Sequence, residues 1–381
     1  MKKKVLVLTD NMPWGHRAIA RAIYGYLGQQ KSVNVEYVEV KMPLSVVNEI
    51  YTLMYRYLPS GNRFYHKLME VEALRKLFFD VLDQSGTKYL EKVVKTMNPE
   101  VIVSSYFFLS HGLIALRKTG GYRYKLMTVV ADPWTINPIT FVPEADVNFV
   151  YDEVGVKEGL KYKIERKRLV KTGWWVREEM YKKQLTVNSD QLTVKSELGI
   201  GDERPVVFIG GGSLGTNSIL KLLPSLLLVK KKVAIIFNTG TDTLLKNTID
   251  QYKMLIKTLK RDSLVQIINL GWIDNMAKIL SISDIVMGKA GPNFLFDVVA
   301  IGKPFVAITH IGGQEDGNIE IIKKKKLGWV REKGNSAARF FLKFVENPEK
   351  YKNKFKTTIA AEAKNNRGGL ERVWSEIENN F

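Results

Sequence analysis

Residues able to do chemistry collect in this chain at the ends of apolar runs, beside glycines. The richest stretch is Ile285 to Asn318, IVMGKAGPNFLFDVVAIGKPFVAITHIGGQEDGN. Gly288-Lys289-Ala290-Gly291-Pro292 breaks a short apolar run and opens a helical stretch that carries Asp297. A second apolar run follows Gly302-Lys303-Pro304 and ends in a polar turn, Gly312-Gly313-Gln314-Glu315-Asp316-Gly317-Asn318. A glycine turn feeding a helix start points free N–H groups and the positive dipole end at an anion. Gly210-Gly211-Gly212-Ser213-Leu214-Gly215 repeats the device after Pro205–Ile209 and before the helical Ile219–Leu228. It reads as a phosphate cradle or as a tight strand-to-helix turn. His16 and Asp132 follow strand-like runs; Asp132, before proline, is equally an ordinary turn former, and Arg177 by its place alone is an exposed linker arginine.

The elements that must position these groups alternate along the chain. Lys4–Leu8, Asn34–Val40, Pro99–Ser105, Lys125–Val130, Asp146–Val150, Val233–Asn238 and Val265–Leu270 read as strands, with helical patterns at Ala18–Leu27 and Leu109–Lys118. Ile285–Asn318 itself reads as one βαβ unit, and such units build sheets whose ligands bind outside the carboxyl ends of the strands. At 381 residues two domains are expected. The first spans 1–180, the polar stretch 181–196 is the linker, and the second spans 197–358. A largely helical segment from about 359 to 381, with a break at Gly368-Gly369, packs back on the first.

Composition narrows the classes further. Hydrophobic residues make up 45% and charged residues 25%, as in a folded globular protein. No apolar stretch is long enough to span a bilayer. The start MKKKVLVLTD is too short in its apolar run for a signal peptide and reads as a first strand. With no cysteine, disulfides and thiolate metal sites are excluded, which fits a reducing cytoplasm. The net charge of +19 suits anionic membrane surfaces or anionic small substrates, and no nucleic-acid signature accompanies it. The aromatic and basic Pro43–Leu82, including Tyr51, Tyr55, Arg56, Tyr57, Arg63 and Lys67, reads either as core-facing helices or as an interfacial surface on anionic lipid.

KAGP, an acid on the following helix, GKP and GQE-x-GN occur here in an order that resembles monogalactosyldiacylglycerol synthases and processive diacylglycerol glucosyltransferases. The peptidoglycan lipid-linked N-acetylglucosaminyl transferase is a more distant resemblance. The resemblance implies an α/β GT-B fold, two facing Rossmann-like domains with the active site in the interdomain cleft. It also implies residue roles. His16, in the place of a Gly-Gly-Gly-His segment, is the general base; here Met12, Pro13 and Trp14 replace the glycines. Taken without the family, His16 is a neighbour of the helix start. Asp132, from a Thr-Asp ahead of Thr-x-His-Pro-x-Trp, orients or assists the base, with Asn137 and Thr140 in place of the histidine and tryptophan. Gly173, Val176 and Arg177 match Val-Thr-Gly-x-Pro-Val-Arg, whose arginine reaches the donor diphosphate. Trp272 and Ile273 fall where uracil meets backbone, and Asp297 stands where the family carries a ribose-binding glutamate. Gly212, Ser213 and Gly291 face the phosphates, while Gln314, Glu315 and Asn318 meet the hexose.

The expected function is inverting transfer of a hexose from a UDP-sugar to a membrane lipid, with diacylglycerol the expected acceptor. The protein would lie peripherally on the inner face of the cell membrane. No cofactor is expected, and no Asp-x-Asp or histidine spacing marks a metal site. Alternatives are a UDP-N-acetylglucosamine transferase acting on a polyprenyl-linked acceptor, and a non-catalytic nucleotide-sugar or lipid-binding protein. UDP-sugar 2-epimerase chemistry is a further alternative, against which GQEDGN argues.

Overall fold

The computed structural model describes residues 2–12, 15–41, 70–71, 88–181, 188–201, 203–210 and 217–381. The chain forms two compact units. The first comprises Met1–Glu178, Ile311–Gly317 and Asn365–Phe381; the second comprises Glu179–His310 and Asn318–Lys364.

In the first unit, β1 (Lys3–Asp10), β2 (Val33–Val40), β3 (Val101–Ser104), β4 (Lys125–Val129), β5 (Val147–Val150) and β6 (Leu169–Lys171) form one sheet in the order β2-β1-β3-β4-β5-β6. Every pairing is parallel. The inner strands of a parallel sheet are covered on both faces and so are largely apolar, whereas the edge strand β2 alternates. Val5, Leu6, Val7 and Leu8 are accordingly buried, as are Val101, Ile102 and Val103. Helix α1 (Gly15–Leu27) follows β1, and α2 (Phe107–Gly120) follows β3. Gly121, at φ +67°, ends α2 in the left-handed conformation that glycine adopts without strain. Helix α3 (Glu153–Lys161) starts at Asp152, whose carboxylate accepts the Val154 N–H.

The second unit repeats the plan. Strands β7 (Val206–Gly210), β8 (Val233–Asn238), β9 (Val265–Leu270), β10 (Ile285–Lys289), β11 (Phe305–Thr309) and β12 (Gly328–Val330) lie in the order β12-β11-β10-β7-β8-β9. All are parallel here too. The longer helices that follow are α4 (Asn188–Glu197), α5 (Thr243–Thr258), α6 (Met276–Ser281), α7 (Pro292–Ala300), α8 (Asp316–Lys324), α9 (Ser336–Glu346), α10 (Lys356–Arg367) and α11 (Gly369–Asn379), the last in the first unit.

Each sheet reverses its strand order once, at β1/β3 in the first unit and at β7/β10 in the second. Such reversals leave a crevice outside the carboxyl ends of the strands. At β7/β10 the backbones pass so closely that a Cβ on Gly288 would meet the Gly210 carbonyl at 2.4 Å, so glycine is required there.

Most of α4 falls in the polar stretch 181–196. Two local expectations differ from the structure. Ile219–Leu228 is not one helix: a 3-10 segment, Asn217–Leu222, precedes a short helix, Leu223–Leu226, with Pro224 in its first turn. The turn Gly312–Asn318 is half helix, because α8 already begins at Asp316. No helix among the described residues is long and apolar enough to cross a membrane.

Candidate active site

His16 lies in the first turn of α1, at the strand-order reversal of the first sheet. Its Nδ1 is 2.9 Å from the carbonyl oxygen of Ser105, which follows β3. A carbonyl only accepts, so Nδ1 carries the hydrogen and the neutral ring keeps a lone pair on Nε2. The ring also packs against Tyr106, with centroids 5.0 Å apart. Ser105 Oγ lies 2.9 Å from Thr9 Oγ1 and 3.1 Å from the His16 carbonyl oxygen. Beneath this group sits Asp10, fully buried at the end of β1. Burial pushes its carboxyl above the usual range, opposed by the nearby His16 and by the Thr9 hydroxyl. Asp10 Oδ2 has no hydrogen-bond partner among the described residues.

Asp132 lies beyond the carboxyl end of β4, the next strand in the sheet. Desolvation raises its carboxyl to about 7, with Glu315 adding to the rise and a hydrogen bond to the Gln314 side chain opposing it. The segment Ile311–Gly317 thus reaches Asp132 within the first unit. Its shape is closed on itself: Glu315 Oε2 accepts the Ile311 N–H at 2.8 Å, and the Glu315 N–H donates to the Ile311 carbonyl at 2.8 Å. Gly313 takes φ +90°. Gly317 donates its N–H to Thr135 Oγ1, and a Cβ there would meet the Thr135 nitrogen at 2.5 Å. Asn137 and Thr140 build the turn beside them. Asn137 Oδ1 accepts the Ile139 N–H at 3.1 Å, and Thr140 Oγ1 donates to the Asn137 carbonyl at 2.7 Å.

Arg177 is half-buried directly after the buried Trp174, Trp175 and Val176. The segment before it is held by residues of α10 and α11. Asn366 Oδ1 accepts the Trp174 N–H at 2.9 Å, and Arg372 Nη1 donates to the Thr172 carbonyl. Gly173, at φ +81°, makes the bend between them.

In the second unit Gly291 caps α7, with Pro292 in the first helical position, and Asp297 is half-buried further along the same helix. Asn318 Nδ2 donates to the Ala290 carbonyl at 2.8 Å, which brings Asn318 to the Gly291 turn. Trp272 is 65% exposed just beyond β9, its indole N–H donating to Asp274 Oδ1 at 2.9 Å, and Ile273 is half-buried. Gly212 and Ser213 lie outside the described residues, as do Pro13, Trp14 and the Tyr51–Lys67 segment.

The structure therefore gathers Asp132, Gln314 and Glu315 in one place, and Gly291 and Asn318 in another. Two features escape sequence reading. Asp10 and Ser105 enter only because β1 and β3 are neighbours. His310 Nδ1 lies 2.6 Å from Glu332 Oε1 past the ends of β11 and β12, and the one signal for it is a polar residue following each apolar strand.

Known proteins resemble this chain in both halves. Residues 206–364 match the glycosyltransferase family 28 C-terminal domain, and residues 16–176 match monogalactosyldiacylglycerol (MGDG) synthase. A processive diacylglycerol beta-glucosyltransferase of Bacillus licheniformis is 23% identical over 83% of this chain and 80% of its own length. A probable monogalactosyldiacylglycerol synthase 3 of Oryza sativa is 24% identical over 89% of this chain and 68% of its own. Among solved structures, MurG of Acinetobacter baumannii superposes with a TM-score of 0.61 at 15% identity, covering 99% of each chain. The fold is GT-B, two α/β units each built on a parallel six-stranded sheet. The chain is a glycosyltransferase, and its relatives act in glycolipid synthesis.

Proposed function

We propose that this glycosyltransferase moves a hexose from a UDP-sugar to the hydroxyl of a membrane lipid, diacylglycerol foremost, with inversion at the anomeric carbon. The observation that carries the proposal is the His16 ring, whose Nδ1–H is committed to the Ser105 carbonyl. Nε2 takes the proton of the acceptor hydroxyl as the oxygen bonds to the anomeric carbon from the face opposite the diphosphate. The bond from that carbon to the phosphate oxygen breaks, and UDP departs with the electron pair.

Asp297 accepts the ribose hydroxyls, and the backbone of Trp272 and Ile273 receives uracil. The amide end of α7 at Gly291, together with Arg177, Gly212 and Ser213, stabilises charge growing on the diphosphate. Gln314 meets the hexose. Glu315 and Asn318, through their bonds to Ile311 and Ala290, shape the turns that present those contacts. Departing charge is met by these groups without a metal, so chelators should leave turnover unchanged. The charge of +19 supports peripheral attachment to the inner face of the cell membrane.

Incubation with labelled UDP-sugars and vesicles holding diacylglycerol or a polyprenyl-linked acceptor, followed by mass spectrometry, tests the reading. A hexosyl-diacylglycerol of inverted configuration is expected. UDP binding without product on any lipid would leave a nucleotide-sugar-binding protein instead. Co-sedimentation should favour anionic over neutral vesicles and fade with salt; equal, salt-insensitive binding would remove the membrane assignment.

A further inference from the structure

Ser105 stands one position beyond β3, at the strand-order reversal of the first sheet, and is fully buried. Its N–H donates to the Leu8 carbonyl at 3.0 Å, which extends the β1–β3 ladder by one residue. Its carbonyl and its hydroxyl both turn to a single residue. The carbonyl oxygen accepts His16 Nδ1–H at 2.9 Å, and the hydroxyl donates to the His16 carbonyl oxygen at 3.1 Å. Thr9 Oγ1, 2.9 Å from the same hydroxyl, shares its hydrogen. Ring and backbone of His16 are thus held by one residue 89 positions away.

The second tie matters because of where His16 stands. It is the second residue of α1, and the first turn of a helix has N–H groups with no partner inside the helix. A bond at Nδ1 alone fixes the tautomer but leaves the backbone that carries the ring less constrained. The Ser105 hydroxyl limits that freedom. We propose that Ser105 is the positioning residue of the base, its hydroxyl holding the His16 backbone while its carbonyl holds the ring. This rests on the assignment of His16 as general base. When Nε2 takes the acceptor proton the ring becomes a cation, and the Nδ1–H bond to the Ser105 carbonyl becomes charge-assisted. The tie is therefore stronger in the transition state than before it, so the Ser105 side chain acts on turnover rather than on donor binding.

The test uses the full-length protein with UDP-hexose as donor and diacylglycerol vesicles as acceptor. In Ser105→Ala the carbonyl remains and the hydroxyl goes. Its kcat should fall about three- to tenfold, the effect of one ordinary hydrogen bond, while donor KM and the inhibition constant of UDP stay constant. In a His16→Ala background the same change should cost nothing further, because no ring is left to place. A native kcat in Ser105→Ala would overturn the proposal. So would an equal loss in the His16→Ala background, or a rise in donor KM at constant kcat. If His16→Ala itself turns over at the native rate, the base assignment fails and takes the proposal with it. Should Ser105→Ala not fold, Ser105→Cys takes its place. Its weak S–H donor should lower kcat at constant donor KM, and a native kcat there would refute the clamp.

Discussion

Asn318 donates its side-chain amide to the Ala290 carbonyl at 2.8 Å, and both residues are buried. The bond ties the first turn of α8 to the turn that launches α7. Asn318→Ala leaves a buried carbonyl without its donor, which costs about 1–3 kcal/mol. Urea denaturation should show a lower midpoint at an unchanged slope, and UDP affinity should fall with it because the Gly291 turn loosens. An unaltered midpoint would show that the bond is not structural.

Replacing His16 by alanine removes the base while the donor contacts remain. Turnover should drop by roughly 10²–10⁴, the usual range for general base catalysis, with UDP affinity barely changed. Native turnover in His16→Ala alongside a dead Asp132→Ala would move the base to Asp132.

The donor residues separate by what they touch. Asp297→Ala should weaken UDP and UDP-sugar alike, by about 1.5–3 kcal/mol for a lost charged hydrogen bond. Gln314→Ala should weaken UDP-sugar and spare UDP. Titration calorimetry decides both, and unchanged UDP affinity in Asp297→Ala would remove the ribose assignment.

Asp132 gives a pH dependence of stability with a definite sign. Its carboxyl titrates at about 7 in the folded protein against an ordinary 3.8, so the fold holds this proton more tightly than the unfolded chain does. The stabilisation is complete below about pH 4 and is lost as pH rises through about 7, a range worth a few kcal/mol. Asp132→Asn is neutral throughout, so it should gain on the native protein as pH climbs across that window. Asp10 shifts in the same direction but is present in both proteins and cancels. A pH-independent difference between them would mean that Asp132 does not titrate there.

Much of the architecture is readable from apolar runs alone, because strands covered on both faces leave uninterrupted Val-Leu-Ile stretches such as Val5–Leu8 and Val206–Ile209. Helix starts were harder. Asp316-Gly317-Asn318 looks like loop in composition, yet Gly317 is glycine because Thr135 presses on it, and that pressure is invisible along the chain. Pro224 is different: it falls in the middle of Ile219–Leu228, lacks the N–H that a helix interior needs, and marks where the 3-10 segment gives way to a new helix. His16 and Asp132 stand out as polar residues after strands. Their partners do not: Ser105 is 89 positions from His16, and only the adjacency of β1 and β3 joins them.

The grip of Asn366 and Arg372 on the Thr172–Trp174 backbone has a consequence in time. These groups lie 192 and 200 positions after the atoms they hold. A ribosome delivers the chain from its amino end, so the whole second unit is made before they appear. The first unit is begun first and finished last. Until Asn365–Phe381 emerges, its sheet can form but the Trp174 N–H and the Thr172 carbonyl wait without these partners. In a nascent chain, resistance of the first unit to protease should therefore arrive late, set by the emergence of Asn366 and Arg372.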